Sequence, residues 1–515
     1  MAQVNAWINR AYRWAALALL IWLLVWIGIS WAGVQDDAFI HLRYAENLLH
    51  THLVTYDGVH PNYGASSLLY IYLLSFLRPL SASPNLPRLV SSCIHVLLLV
   101  GVAVLFFRAT PRESSLARLL GLIVMTLLVT PSSVRWLDDG METGIALCFV
   151  ALICWLTFRE SEDNSVTPVR YAACTVLGFL AVFLRVELIL LCGIGSLLIA
   201  WKHIFAPDSN FNLRLRSILS ASHLLLGGLL AMLFIVIKMH HLLPDTAKAK
   251  ADGIADWQVA FSVTAKVLAG GLSFGAGIFI FWLLTLYLLL RASRLSPRAL
   301  VANSIFPILF SIAAIRGQQI QGARYFVWSF FFSALWNSLE LTLRPIESES
   351  KSPVLLPAYC FLALALFALP IESKVMYPFL RDRATLVRSF QSNHLETLEG
   401  KRGIAFDIGQ IGYFSRADIC DLAGLVNGRS NAGLTEDQHF TRCVATNPDF
   451  LFLHAEAVYA ISHYLPIKDW QLCGLYPFRR VDKTDQHYLL ARRSEALEIC
   501  KDPPPTPPEL QPLLQ

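Results

Sequence analysis

Charged side chains are scarce in this chain. Only 15% of its 515 residues are Asp, Glu, Lys or Arg, and 55% are hydrophobic, whereas a soluble globular domain carries about 25% charged residues. The mean hydropathy is +0.51, and the apolar residues are gathered into long runs. A bilayer favours such runs, because a helix of about 20 apolar residues satisfies its own backbone hydrogen bonds in lipid. The composition therefore predicts a polytopic α-helical membrane protein.

Four other absences bear on function. The net charge is only +5 over 515 residues, which argues against nucleic acid as a partner. The sequence contains no Gly-rich nucleotide fingerprint and no zinc-ligand spacing. It also contains no internal repeat, whereas secondary transporters are often built from inverted repeats. A nucleic-acid-binding protein and a transporter are both disfavoured.

Eleven apolar runs are predicted to cross the membrane. The first is expected to remain as an anchor, because residues 29–33 form a poor signal-peptidase site. A further run, 67–80, is interpreted as an interfacial or re-entrant segment. Three basic loops then lie inside with the N-terminus, as the positive-inside rule prefers, and the C-terminus lies outside. These loops are at 108–118, 202–216 and 291–298. The eleven runs are 15–32, 89–107, 116–130, 143–158, 171–184, 188–201, 218–238, 267–290, 300–315, 326–343 and 354–369.

The composition changes after residue 370. Charges become frequent, apolar runs shrink to strand length, and residues 401–407 and 449–454 are typical of strands. We therefore predict a transmembrane core at 1–370, an extracytoplasmic soluble α/β domain at 371–500 and a Pro-rich disordered tail at 501–515.

Four of the ten cysteines lie in this predicted C-terminal domain, whereas the other six lie in or beside apolar runs. An even number in an extracytoplasmic domain favours two disulfides, for which three connectivities are open. Unpaired buried thiols are the alternative. The four residues are Cys420, Cys443, Cys473 and Cys500.

Two adjacent carboxylates, Asp36 and Asp37, directly follow the first run. Charges at a membrane boundary are costly unless they are used or solvated. On a helix, Asp36 shares a face with Arg43, while Asp37 lies beside His41 and Tyr44. An Asp in this setting is able to abstract a hydroxyl proton while the Arg holds an anion. The alternative is a helix start, where Asp is favoured.

Three further loops on the same predicted face carry charge. Acids lie in the first two loops, the one with Asp36 and the one at 135–143, and cations lie in the last two, at 240–250 and 316–325. This distribution suits a site that takes a phosphate leaving group and a hydroxyl nucleophile. Contact with lipid headgroups is the simpler interpretation of each isolated cation. The candidates in chain order are Asp139, Glu142, Asp245, Lys248, Arg324 and Tyr325.

The string Asp36-Asp37-Ala38-Phe39-Ile40-x-x-Arg43 resembles the first outer-loop motif of the GT-C glycosyltransferases. Within that class it is most similar to the mycobacterial terminal arabinofuranosyltransferases and related bacterial arabinosyltransferases. Residues 63–67 depart from the Gly-Thr-Ser-Pro-type turn that is frequent in that group. Further similar motifs follow in the expected order at 140–143, 243–248, 323–325, 407–413 and 421–425.

The resemblance implies a GT-C fold with about 11 transmembrane helices in a bacterial inner membrane, with the active site and the C-terminal domain outside. It implies transfer of a sugar, arabinofuranose as the best guess, from a polyprenyl-monophosphate donor. The acceptor is expected to be an envelope glycan or a protein such as a pilin. The lipid retains the phosphate, so no nucleotide cofactor is implied. Some GT-C enzymes use a divalent metal, and the sequence leaves that open.

The resemblance also implies roles for the candidate residues. Asp36 or Asp37 is expected to be the catalytic carboxylate. A secondary transporter or flippase and a non-catalytic polysaccharide-assembly subunit are the alternative functions. The residues expected to bind the donor phosphate are Arg43, Lys248 and Arg324, and those expected to shape the sugar and acceptor pocket are Tyr44, Asp139, Glu142, Asp245 and Tyr325.

Overall fold

The protein is mostly helical, with a single small sheet near its C-terminus among the described residues. The structure is a computed structural model. It describes residues 2–108, 115–162, 168–204, 218–219, 221–249, 274–315, 327–343, 352–392, 395–426, 433–479 and 484–514.

Each of the eleven predicted apolar runs overlaps at least one helix. Large apolar side chains, such as Leu97, Leu152 and Phe367, are exposed on these helices, as expected where lipid is the solvent. The described helices are α1 (Ala2–Ile29), α2 (Asp36–Thr51), α3 (Leu68–Leu77), α4 (Leu86–Arg108), α5 (Ser115–Leu128), α6 (Pro131–Leu137), α7 (Thr143–Glu162), α8 (Pro168–Leu184), α9 (Ile189–Ile204), α10 (His223–Met239), α11 (Asp245–Ala249), α12 (Phe274–Arg291), α13 (Pro297–Asn303), α14 (Ile305–Ile315), α15 (Val327–Leu343), α16 (Ser352–Ser392), α17 (Gly409–Ser415), α18 (Glu436–Ala445), α19 (Ala455–Ile461), α20 (Ala496–Ile499) and α21 (Gln511–Leu514).

Among the described residues, three helical segments are long and apolar enough to cross a membrane, namely Arg10–Ile29, Leu86–Phe106 and Leu355–Arg388. The bent pair of α5 and α6, with 69° between its halves, makes a fourth if it forms one span. Shorter apolar helices of 10–17 residues account for much of the remaining core. The count of eleven spans stays a prediction.

Helix α3 occupies the run that was interpreted as interfacial or re-entrant. It has ten residues and is followed by a 3-10 turn at Arg78–Leu80. At 1.5 Å per residue it is about 15 Å long, roughly half the thickness of a bilayer core. It packs against α2 and α8.

Helix α16 is 41 residues long and contains Pro357, Pro370 and Pro378. At 1.5 Å per residue it measures about 60 Å, twice the thickness of a bilayer core. The predicted boundary at 370/371 falls inside this helix, and the first strand begins at Arg402. The helix therefore carries residues from the apolar core directly to the sheet.

The sheet has five strands in the order β2-β1-β3-β5-β4. Strand β1 is parallel to β2 and β3, whereas β5 is antiparallel to β3 and β4. The two predicted strands correspond to β1 and β3. The strands are β1 (Arg402–Ala405), β2 (Asp418–Asp421), β3 (Phe450–His454), β4 (Trp470–Arg479) and β5 (Thr484–Arg492).

Two disulfides stabilise this part of the chain, as predicted. They join Cys420 to Cys443 and Cys473 to Cys500, which selects one of the three connectivities. In the segment expected to be a disordered tail, Leu510 is buried. The Tyr488 hydroxyl also donates to Glu509 Oε1 at 2.7 Å.

The joint between α2 and α17 connects the membrane core to the sheet. The Asp36 carboxylate accepts the backbone N–H groups of Gly409 at 2.8 Å and Gln410 at 2.7 Å. The Tyr56 hydroxyl donates to the Ile408 carbonyl at 2.7 Å. Arg43 donates to the Ala417 carbonyl at 3.0 Å and also to the Gly412 carbonyl. The segment from Asp36 to Tyr56 therefore holds the beginning of α17 in place.

Glycine at position 409 permits this close approach. A Cβ atom there would lie 1.9 Å from the Asp36 carbonyl oxygen, which is backbone and cannot move aside cheaply. The resemblance motif at 407–413 thus has a physical basis, because the helix it begins touches the chain that carries Asp36.

We expect Gly409→Ala to separate the joint. Overpacking of this kind costs about 1–3 kcal/mol, occasionally more. The variant should unfold at a lower temperature and should become sensitive to protease between α16 and β1. Gly28→Ala is the matched control, because no atom lies within 4 Å of a Cβ built at Gly28. Equal thermal stability and equal protease resistance of the two variants would contradict the close packing.

Candidate functional site

A cavity of approximately 500 Å³ lies where α6, α16 and the sheet meet the first turn of α2. The carboxyl end of the parallel strand β1 opens onto it, and in α/β sheets ligands bind at this edge. Its lining combines charges of both signs with aromatic rings. The charged and titratable residues are Asp36, Asp139, Asp407, Arg135, Arg383 and His487, and the aromatic residues are Trp136, Phe379, Phe390, Phe452 and Tyr476.

Asp36 is the carboxylate at the centre of this arrangement. It begins α2, and its two oxygens are oriented by the amide groups at the beginning of α17. Burial raises the pKa of Asp36 to about 7, and the neighbouring charges of Asp407 and Asp37 add to the shift, while the two amides oppose it. A carboxyl group with a pKa near neutrality is well matched to general-base catalysis.

Asp139 is brought beside Asp36 by the second acidic loop. The Gln35 N–H donates to the Asp139 carbonyl at 2.8 Å, and the Met141 N–H donates to Asp139 Oδ1 at 3.0 Å. Gly140 between them has φ of +91°, a left-handed conformation that favours glycine. The two predicted acidic loops are therefore joined by their backbones.

Arg135 and Arg383 supply the positive charge of the cavity. The Arg135 guanidinium lies 4.8 Å from the ring centroids of both Trp136 and Phe379. Arg383 interacts electrostatically with Asp139, Asp36 and Asp37. Within the part of the chain that the structure describes, neither guanidinium has a protein hydrogen-bond partner. Both are available to a bound anion.

Asp37 and Glu142 connect to a second polar cluster beside the cavity. The His41 ring lies 3.0 Å from the Asp37 carbonyl through Nδ1 and 3.4 Å from the Ser66 hydroxyl through Nε2. Ser66 donates to Glu142 Oε1 at 3.1 Å, and Arg185 lies 3.8 Å from the same oxygen. The predicted residue Glu142 is therefore buried in a network next to Asp37.

The remaining predicted residues lie elsewhere. Arg43 is not in the cavity, because its guanidinium donates to the carbonyls of the joint and lies 4.4 Å from the Tyr56 ring centroid. The Tyr44 hydroxyl contacts Asn62 and Gly64. Asp245 is buried, and its N–H donates to the Tyr63 carbonyl at 2.7 Å. The side chain of Lys248, and all of Arg324 and Tyr325, fall outside the described residues.

Sequence reasoning missed Arg135, Arg383, Asp407 and His487 as members of the site. Arg135 stands at the start of the second acidic loop, so its position was a usable signal. The other three come to the cavity through α16 and through the long-range pairing of the strands. Asp407 begins the recognisable motif at 407–413 but was given no role in the site, whereas no local pattern marks Arg383 or His487.

No protein-family model matches this chain, and no curated protein matches its sequence. Solved structures do match. ArnT from Cupriavidus metallidurans in the apo state has a TM-score of 0.54 at 12% identity, covering 94% of this chain and 98% of that chain. ArnT bound to undecaprenyl phosphate has a TM-score of 0.52 at 14% identity, covering 93% and 98%.

The chain has the fold of ArnT. ArnT is a GT-C glycosyltransferase, and at this identity the likeness shows the shared fold alone. The likeness to arabinofuranosyltransferases in particular stays a prediction. A weaker similarity links the chain to the oligosaccharyltransferase AglB from Archaeoglobus fulgidus in complex with an inhibitory peptide and a dolichol-phosphate. Its TM-score is 0.47 at 12% identity, covering 92% of this chain and 74% of that chain.

We expect Asp36 to titrate near pH 7. Its unfolded-state pKa is about 3.9, so folding favours the protonated carboxyl. This contribution to stability is therefore complete below about pH 4 and is lost as the pH rises through about 7. The measurement is the infrared carboxyl band in the difference between wild type and Asp36→Asn, followed against pH.

Removal of the neighbouring charge should lower that midpoint. Asp407→Asn takes away a like charge that raises the pKa of Asp36. The exposed Asp418 on β2 offers the matched control, Asp418→Asn, which should leave the midpoint unchanged. A midpoint near 4 in the wild type would show that Asp36 is not desolvated in the cavity.

Proposed function

We propose that this protein is a membrane glycosyltransferase that transfers a sugar from a polyprenyl-monophosphate donor to an acceptor hydroxyl on the extracytoplasmic side. The observation that carries the proposal is the cavity, in which Asp36 faces two guanidinium groups at the junction of the membrane helices and the sheet. Support comes from the shared fold with ArnT, a protein whose solved structure holds undecaprenyl phosphate.

Arg135 and Arg383 bind the donor phosphate in this proposal. A guanidinium group presents paired N–H donors that match phosphate oxygens, and the strength of such contacts rises in a partly desolvated site. Arg383 stands on α16, the helix that runs from the apolar core to the cavity. A lipid phosphate that enters from the bilayer therefore meets it directly.

Asp36 is the proposed general base. The acceptor hydroxyl oxygen attacks the anomeric carbon of the donor sugar, and its proton passes to the Asp36 carboxylate. The bond between the anomeric carbon and the phosphate oxygen breaks, and its electron pair stays on the phosphate. The products are the glycosylated acceptor and polyprenyl phosphate. Arg135 and Arg383 stabilise the charge that develops on the leaving phosphate.

The other predicted residues take supporting roles in the proposal. Asp37 and Glu142 shape the sugar pocket from the side of the His41 and Ser66 network. Asp139 orients Arg383 and the first turn of α2. Arg43 acts through the joint rather than on the phosphate. Further contacts proposed for the donor and its sugar are Asp245, Lys248, Arg324 and Tyr325.

The proposal also specifies the sugar, the acceptor and the membrane. Arabinofuranose is the sugar we propose, with an envelope glycan or a protein such as a pilin as acceptor. The motif similarity of residues 36–43 to arabinosyltransferases supports this choice. The motif resemblance supports a bacterial inner membrane, the apolar runs support eleven spans, and the distribution of charge supports an external α/β domain.

Replacement of Asp36 provides the direct test. The envelope glycans and pilins of a deletion strain are compared with those of a complemented strain by mass spectrometry to find the missing product. We expect Asp36→Asn to reduce that product about 10²–10⁴-fold, the usual loss when a general base is removed. Asp418→Asn, made on the exposed face of β2, should restore the product fully.

Folding must be separated from chemistry in this test. An Asn at position 36 still accepts one of the two amide N–H groups of α17, so the joint should survive. The purified variant should bind undecaprenyl phosphate and should melt close to wild type. Wild-type product levels with Asp36→Asn would contradict the assignment of the base.

A further inference from the structure

We propose that the sheet side of the cavity is a subsite for a sugar acceptor, formed by the hydrogen-bonded pair Asp407 and His487 and by the ring of Tyr476. The proposal rests on the glycosyltransferase function and specifies its acceptor as a carbohydrate hydroxyl. These three residues line the same cavity as Asp36 but belong to the C-terminal part of the chain.

The Asp407–His487 pair reaches from the interior of the cavity to its mouth. His487 Nε2 lies 2.8 Å from Asp407 Oδ2. The His487 side chain is 7% exposed and the Asp407 side chain is 43% exposed. A carboxylate has about four acceptor positions, so one imidazole N–H leaves Asp407 able to accept hydroxyl groups. The pair therefore presents fixed acceptors where an aqueous molecule enters.

Aromatic rings form the wall beside this pair. The Tyr476 ring centroid lies 5.2 Å from that of Phe390 and 5.5 Å from that of Phe452. His487 stacks on Phe452, with centroids 4.9 Å apart and an interplanar angle of 12°. The rings hold each other in place, and Tyr476 remains partly exposed on the cavity surface.

An aromatic face next to a carboxylate is suited to a sugar ring. The apolar C–H face of the sugar packs on the aromatic ring, and its hydroxyl groups donate to the carboxylate. The volume of approximately 500 Å³ falls within the range of about 300–1,000 Å³ that is typical of small-ligand sites. The cavity is therefore large enough for the terminal sugar of an acceptor but too small for the folded surface of a protein acceptor.

A peptide acceptor fits this side of the cavity less well. Extended peptides bind by pairing with an open strand edge. Phe452 and His487 lie on β3 and β5, which are already paired with each other. The edge strand β4 contributes Pro477, which has no N–H to donate. The backbone here therefore offers few hydrogen-bonding groups to a peptide, whereas the side chains offer an aromatic face and a carboxylate to a sugar.

The position of the subsite also suits the reaction. Asp407 and Asp36 both line the cavity and interact electrostatically, so the two carboxylates are neighbours there. The donor phosphate is assigned to Arg135 and Arg383 on the membrane helices. A sugar held by Asp407, His487 and Tyr476 would then present a hydroxyl to Asp36 from the opposite, aqueous side.

Saturation-transfer difference NMR tests the proposal on the full-length protein in lipid nanodiscs. The probes are methyl glycosides of pentoses and hexoses in pyranose and furanose forms, together with short Ser- and Thr-containing peptides. We expect at least one glycoside to receive saturation. Asp407→Asn and Tyr476→Leu should each weaken its affinity about ten-fold, the size of effect expected when one hydrogen bond to a charged group or one aromatic contact is lost.

A matched control comes from the same part of the chain. Tyr459 on α19 is 60% exposed and lies outside the cavity, so Tyr459→Leu should leave the glycoside signal unchanged. Affinity for undecaprenyl phosphate should be unchanged in Tyr476→Leu and Tyr459→Leu, because the phosphate contacts lie on α6 and α16. It should not fall in Asp407→Asn, because that change removes an acid that competes with the phosphate for the guanidinium groups. A uniform loss of both ligands in Asp407→Asn and Tyr476→Leu would assign these residues a structural role and overturn the proposal.

Three further outcomes would also overturn the subsite. They are the absence of saturation in every glycoside, an unchanged affinity in both cavity variants, and saturation of the peptides in place of the glycosides. The glycosyltransferase function fails by a different result, namely the failure of the wild-type protein to bind undecaprenyl phosphate. The two failures are therefore distinguishable within one set of samples.

Discussion

The contact between the Asp36 carboxylate and the backbone amides of Gly409 and Gln410 is the interaction on which the rest of the site depends. It links the beginning of α2, shortly after the first membrane helix, to the helix that follows β1. The amides satisfy a carboxylate at the positive end of a helix, and the carboxylate fixes where the sheet sits. The cavity exists because this joint brings the two parts of the chain to one edge.

The electrostatics of the cavity follow from the same contact. Three carboxylates, Asp36, Asp139 and Asp407, line one space, and their mutual repulsion would be costly without opposite charge. Arg135 and Arg383 supply that charge. A bound phosphate would compete with the acids for these guanidinium groups. Donor binding would thereby leave Asp36 less well paired and more basic, which suits the acceptance of a proton.

Sequence reasoning could predict the parts of the site whose residues are close together along the chain. The Asp36–Asp37 pair, the acidic loop with Asp139 and the glycine-containing motif at 407–413 could be found because each is a short string at the end of an element. Arg383 could not, because its place depends on α16 continuing beyond residue 370. Arg43, on the same helical face as Asp36, was predicted to hold an anion, but its guanidinium instead donates to the Gly412 and Ala417 carbonyls of the joint.

The most direct test of the account is the affinity of the purified protein for undecaprenyl phosphate when Arg383 is neutralised. Arg383→Gln removes a charged hydrogen-bond donor from the cavity, so the Kd should rise about 10- to 100-fold. Arg381→Gln, two residues earlier on the exposed face of the same helix, should leave the Kd unchanged. Equal affinities for the two variants would contradict the assignment of this cavity to the lipid phosphate.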